Sequence, residues 1–227
     1  MGEVIRKTAA VEDILTDINA TLERAFAKKD PWKAGAEERI GFVVALANGI
    51  SERVKAAQAL VGPAVAELGV ANEESDRLIG KTSDDIWNDL GRPGVDLLFD
   101  LLFPGGISEY TDAPIDDQPF AMLLLAELLE SGIHPKLDAT KATAYATNVR
   151  QSATRLEERV DAARPLRARL RVLLRMQTVV ARAGAVALSR LKKQWLADGH
   201  SEAEIHTIIP DRPSSKPKPK PADPAAT

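Results

Sequence analysis

The stretch "RPLRARLRVLLRMQTVVARAGAVALSRLKKQW", Arg164 to Trp195, sets the fold class. Advancing 100° per residue, Arg164, Arg167, Arg171, Arg175 and Arg182 fall within about 60° of one line. The opposite face carries Leu166, Leu170, Leu173 with Leu174, Val180, Leu188, Leu191 and Trp195. A charged face set against an apolar one at this period specifies an amphipathic helix, and no strand alternation competes with it. Working outward, the pattern stays helix-compatible from Asp138, a candidate N-cap, to Asp198, with Gly199 as its stop. A straight helix of that length would span on the order of 90 Å at about 1.5 Å per residue. Pro165 lies inside it, removes one backbone donor and crowds the preceding turn. A kink, or two stacked helices, is therefore expected there.

The N-terminal third repeats the pattern. Val4, Val11, Ile14, Ile18, Leu22 and Phe26 recur at three- and four-residue steps and predict a helix from about Glu3 to Lys29. Asp30-Pro31 reads as an N-cap followed by proline at the first helical position. Ile40, Val44, Ala47, Ile50, Val54 and Val61 continue as a second helix, which Pro63 is expected to end or kink. Two long helices joined so briefly predict an antiparallel hairpin.

The middle is less regular. Thr82 resembles the start of a short helix through Ile86, Trp87 and Leu90, and Pro93 the start of another through Val95, Leu98 and Leu102. Asp117-Gln-Pro opens a helix that Gly132 closes, and Ser201 with Glu204 forms a capping-box pattern. The fold class is thus all-α: an elongated helical bundle with an N-terminal hairpin, short middle helices and a long kinked C-terminal helix. Residues 1–209 are expected to form one domain, and 210–227 a disordered Lys/Pro-rich tail.

With 227 residues, 44% hydrophobic and 28% charged, the chain has the make-up of a globular protein. It has no cysteine, so disulfides, thiolate metal sites and cysteine nucleophiles are excluded. Charges between Met1 and Lys7 occupy the place of a signal-peptide core, and Arg6 breaks a myristoylation pattern at Gly2. No uninterrupted apolar run approaches the roughly 18–20 residues of a membrane helix, so no membrane span and a cytoplasmic location are expected.

Charge is unevenly divided. Residues 1–135 hold 12 Lys/Arg and 24 Asp/Glu, net −12, whereas 136–227 hold 18 and 9, net +9. Such a division predicts that one half faces the other, in this chain or a neighbour, or that the basic half meets a polyanion. The stripe of Arg164, Arg167, Arg171, Arg175 and Arg182 is the candidate partner-binding face, because guanidinium forks suit both carboxylate and phosphate. No Tyr or Phe interleaves with it, which speaks against base stacking.

Between Phe103 and Gln118, prolines at 104 and 114 and apolar residues Phe103, Ile107, Tyr110 and Ile115 predict an ordered loop anchored on neighbouring helices. Glu202 and His206 stand one helical turn apart, too few ligands for a metal site, and the acidic clusters fit no calcium loop. No catalytic set, metal site or cofactor motif is assigned.

The resulting expectation is a non-enzymatic helical interaction or assembly protein, structural or scaffolding, binding a protein partner or itself as a homo-oligomer. One alternative is a nucleic-acid-associated protein using the basic C-terminal helix. Another is an enzyme with a site under the 103–118 loop.

Overall fold

In the computed structural model, residues 9–210 are described, and 81% of them are helical with no strand among them. Residues 3–8 of the expected N-terminal helix and the expected tail beyond Pro210 lie outside this range, and the helix starts later than expected, after an extended Ala10. Helix α1 spans Val11–Lys28, α2 Trp32–Ala36, and a π-turn at Glu37–Gly41 leads directly into α3, Phe42–Asp89. Then come α4 (Leu97–Leu102), α5 (Ser108–Thr111), α6 (Gln118–Glu130), α7 (Ala139–Ala197) and α8 (Glu202–His206).

Three expectations at prolines are corrected. Pro31, expected at the first helical position behind an Asp30 cap, itself holds the N-cap position of α2, which has no side-chain cap. Helix α3 does not end at Pro63 but runs through it to Asp89, so Thr82 lies buried mid-helix instead of opening a new one. The proline removes one backbone bond, but Leu68, Ile79 and Ile86 are all buried further along the same helix. Tertiary burial thus outweighs the local penalty. Likewise α4 starts not at Pro93 but at Leu97, where the Asp96 carboxylate accepts from the backbone N–H groups of Leu98 and Phe99. Helix α7 is continuous through Pro165.

The described residues group into two compact units, 9–55 with 172–210, and 56–171. In the first, α1 and the start of α3 form the expected antiparallel hairpin, with Asn48 donating to Asn19 at 3.2 Å. Helix α7 lies antiparallel to α3, since Arg39 donates to Gln194 and Gln177 to Ser51. It also sits tightly on α1: a Cβ added at Gly184 would come within 3.1 Å of Ile18. Ile18, Ile40, Leu188, Leu191 and Trp195 fill this core, and Trp32 packs edge-on to Trp195 at 4.8 Å. Ser201 and Glu204 form the anticipated reciprocal capping box at the start of α8.

In the second unit α3 and α7 again run antiparallel, tied by Arg159 to Glu67, Ser75 to Ser152, and Lys141 and Tyr145 to Asp89. Ile79, Ile86, Leu102, Phe103, Tyr110, Met122, Leu125 and Leu156 form its core. Asp138 caps α7 by accepting from the Lys141 N–H, and Gly132, at φ 70°, closes α6 as expected.

A candidate interaction surface

The opposed charges of the two halves meet inside the second unit. Arg150 bridges Glu127 and Glu130 at 2.9 and 2.7 Å, Arg159 pairs with Glu67 at 2.8 Å, and Lys141 with Asp89 at 2.6 Å. These pairs have consequences for titration. Hydrogen bonding from Arg150 holds Glu130 below the usual carboxylate range, and hydrogen bonding from Lys141, then from Tyr145, does the same to Asp89. On α7 this seam of pairs precedes the five stripe arginines.

Of the five stripe arginines, Arg167 joins that seam, pairing with Asp116 at 2.8 Å. Arg164 pairs only with Asp161, one turn back on its own helix. Arg171, Arg175 and Arg182 are exposed and make no ion pair or side-chain hydrogen bond among the described residues. The structure therefore divides the stripe into a part engaged with acids and a part left open.

Beside the open part lies an apolar face that the sequence reading passed over. Val172, Val179 and Val186 are 58%, 60% and 52% exposed, although each sits in a well-formed helix. They recur every seven residues, and Met176 and Ala183 fill the intervening positions on the same face. Seen down the helix, Arg175 and Arg182 run along one edge of this stripe. The opposite side of α7 is occupied by the buried Leu173, Val180, Leu188 and Leu191. The seven-residue spacing of valine was the available signal; it was masked because a four-residue step from Val172 also reaches the apolar Met176, so the whole helix read as one broad amphipathic stripe.

A second exposed apolar face occurs on α6. Phe120 is 75% exposed and Leu124 follows it one turn later, also exposed. Asp117 stands at the N-cap position of this helix, yet its side chain makes no capping hydrogen bond and no ion pair among the described residues. The expected capping role of that carboxylate is thus not realised.

The 103–118 segment forms structure of its own. Phe103 and Tyr110 are buried in the core, where the Tyr110 hydroxyl donates to the Leu102 carbonyl at 2.5 Å and burial pushes its pKa up to about 12. Ile115 packs against the same core, while Ile107 stays more exposed and points its Cδ1 to the α3 backbone near Gly80.

His134 is buried with its Nε2 3.1 Å from Asp96. Its ring lines a cavity of about 260 Å³ together with Leu102, Ile133, Leu137 and Thr143. No residue of 103–118 lines that cavity. Glu202 and His206 both approach Lys192, at 3.4 and 3.3 Å, and no group of three His, Asp or Glu side chains among the described residues is arranged to hold a metal.

Residues Trp32–Asp89 and Ala139–Ala197 each contain an 18-residue window that is apolar enough, by length and composition, to cross a membrane. Comparison with protein-family models, curated proteins and solved structures gives no match.

Proposed function

We propose that this chain is a non-enzymatic helical assembly protein that associates with copies of itself. The observation that carries this reading is the exposed valine face of α7, with Val172, Val179 and Val186 at seven-residue steps beside unpaired Arg175 and Arg182. A β-branched residue at every seventh position is the pattern that inserts into a facing helix, whereas water solvates it poorly. A nucleic-acid reading would use the same arginines on phosphate, but it leaves the adjoining valines without a role. The buried His134 and its cavity bring together no nucleophile, base and oxyanion donor set, so a chemical reading has less support than an assembly one.

Size-exclusion chromatography with light scattering tests the proposal across a concentration series at low and high salt. The expected result is a mass above that of the monomer at low salt, falling as salt rises, because exposed charges are screened beyond roughly 8–10 Å at physiological ionic strength. A monomer at every concentration and salt would rule self-assembly out.

A further inference from the structure

The valine face of α7 has its own constraint on what can cover it. Between Val172 and Ala197 the helix holds Arg175, Arg182, Arg190, Lys192 and Lys193 and no acidic residue. If two copies met through this same face, neither helix would bring a carboxylate to Arg175 and Arg182, and in an antiparallel contact the arginines of one would be brought against those of the other. Like charges at such a contact oppose association. The occupant must instead bring a carboxylate beside an apolar ridge.

The chain carries such a ridge on α6. Phe120 and Leu124 project one turn apart, Asp117 lies one turn before Phe120 with its carboxylate unpaired, and Glu127 lies one turn beyond Leu124. At roughly 1.5 Å per residue Phe120 and Leu124 span about 6 Å along α6, within the about 21 Å of the Val172–Val186 stripe. Both faces are exposed and apolar along the middle, and the unpaired Asp117 at one end of the α6 face is opposite in charge to the unpaired Arg175 and Arg182. We infer that the α7 face of one copy docks on the α6 face of a second copy, head to tail. This inference rests on the assembly reading above and specifies its interface.

A contact between two different surfaces leaves each end of a dimer with one free face, so it builds rings or open chains instead of stopping at two. The valines would pack around Phe120 and Leu124. Arg175 and Arg182 would lie near Asp117 and near the edge of Glu127, whose carboxylate already accepts from Arg150.

The test uses two full-length variants, Val179→Asp and Phe120→Asp. Each alters one exposed position and so should leave the helical content and melting temperature of the protein unchanged. Each alone should run as a monomer at concentrations where the wild type is oligomeric. Mixed in equal amounts they should form a 1:1 heterodimer, because Val179→Asp retains a sound α6 face and Phe120→Asp a sound α7 face. Arg175→Glu with Arg182→Glu should weaken self-association at least about tenfold, and adding Asp117→Lys in the same chain should restore part of it.

If the wild type assembles but the mixture stays monomeric, the head-to-tail interface is wrong and self-assembly still stands. If either single variant assembles like the wild type, that face is not part of the contact and the inference fails. A wild type that is always monomeric overturns both readings. Recovery of that monomer on anionic vesicles, lost in Val179→Asp, would assign the α7 face to a lipid surface.

Discussion

His134 Nε2 lies 3.1 Å from Asp96 Oδ2, while Asp96 Oδ1 accepts from the backbone N–H of Leu98 at 2.9 Å and of Phe99 at 3.4 Å. A single carboxylate thereby caps α4 and clasps the turn that leads to α7. Asp96→Ala should lower the melting temperature more than His134→Ala, since it removes the cap as well as the clasp. Equal losses in thermal melts followed by circular dichroism would mean that the cap contributes nothing.

The same group gives the acid response a direction. Hydrogen bonding from His134, with smaller help from the Leu98 and Phe99 amides, holds Asp96 below the usual carboxylate range, and Asp89 and Glu130 are lowered by Lys141 and Arg150. A lowered folded-state value means that the stabilisation is present above the unfolded pKa of about 4 and is lost as pH falls through the folded one. Asp76 acts in the opposite sense, because burial raises it. Stability should therefore fall below about pH 4, and Asp96→Asn should flatten that fall. An unchanged acid branch in Asp96→Asn would show that the other carboxylates account for it.

In the alkaline range burial raises Tyr110 from the ordinary 10.0 to about 12, as burial and the hydrogen bond to Asp89 do for Tyr145. The unfolded chain gives up this proton first, so stability is full below about pH 10 and declines as pH rises toward 12. Tyr110→Phe should remove part of that decline. At neutral pH it should cost about 1 kcal/mol, the net worth of a typical hydrogen bond, here the one to the Leu102 carbonyl. A urea titration at pH 7 and at pH 11 reads both effects.

Two glycines in the first unit should respond oppositely to alanine. At Gly49 a Cβ would meet nothing within 4 Å, so Gly49→Ala should stabilise α3 by up to about 1 kcal/mol through helix propensity. At Gly35 it would lie 2.9 Å from the Trp195 Nε1, and the indole is held in the core against Trp32. Gly35→Ala should therefore destabilise by about 1–3 kcal/mol despite the same propensity gain. Denaturant midpoints moving in the same direction would contradict the packing described around Trp195.

Where local chemistry sufficed, the sequence located structure closely. Ser201 and Glu204 reach only each other and the adjoining amides, and their capping box forms where the spacing placed it. Asp138 and Gly132 likewise act within one turn of themselves. Position 117 looked the same and behaved differently, since its side chain leaves the cap unmade. A cap motif states what a side chain can reach; it does not state whether an amide is left to donate, and here Pro119 has no N–H and the Phe120 N–H bonds the Asp117 carbonyl.

Periodicity over tens of residues determined, by itself, the all-α class seen among the described residues, because an apolar face at 3.6 residues per turn is a property of one segment of sequence. The continuity of α3 through Pro63 was decided only in the tertiary structure, where burial of Leu68, Ile79 and Ile86 offsets a local cost visible in sequence. So too with the two candidate faces. Composition shows that the halves carry opposite charge, but which arginines are already neutralised depends on which carboxylates folding brings within about 4 Å. Arg150, Arg159 and Arg167 find such partners, and Arg175 and Arg182 do not among the described residues. Val180 and Val179 are indistinguishable as residues, yet one lies in the core and the other in solvent, because a rotation of one residue along α7 carries a side chain from the α1–α3 hairpin to open water.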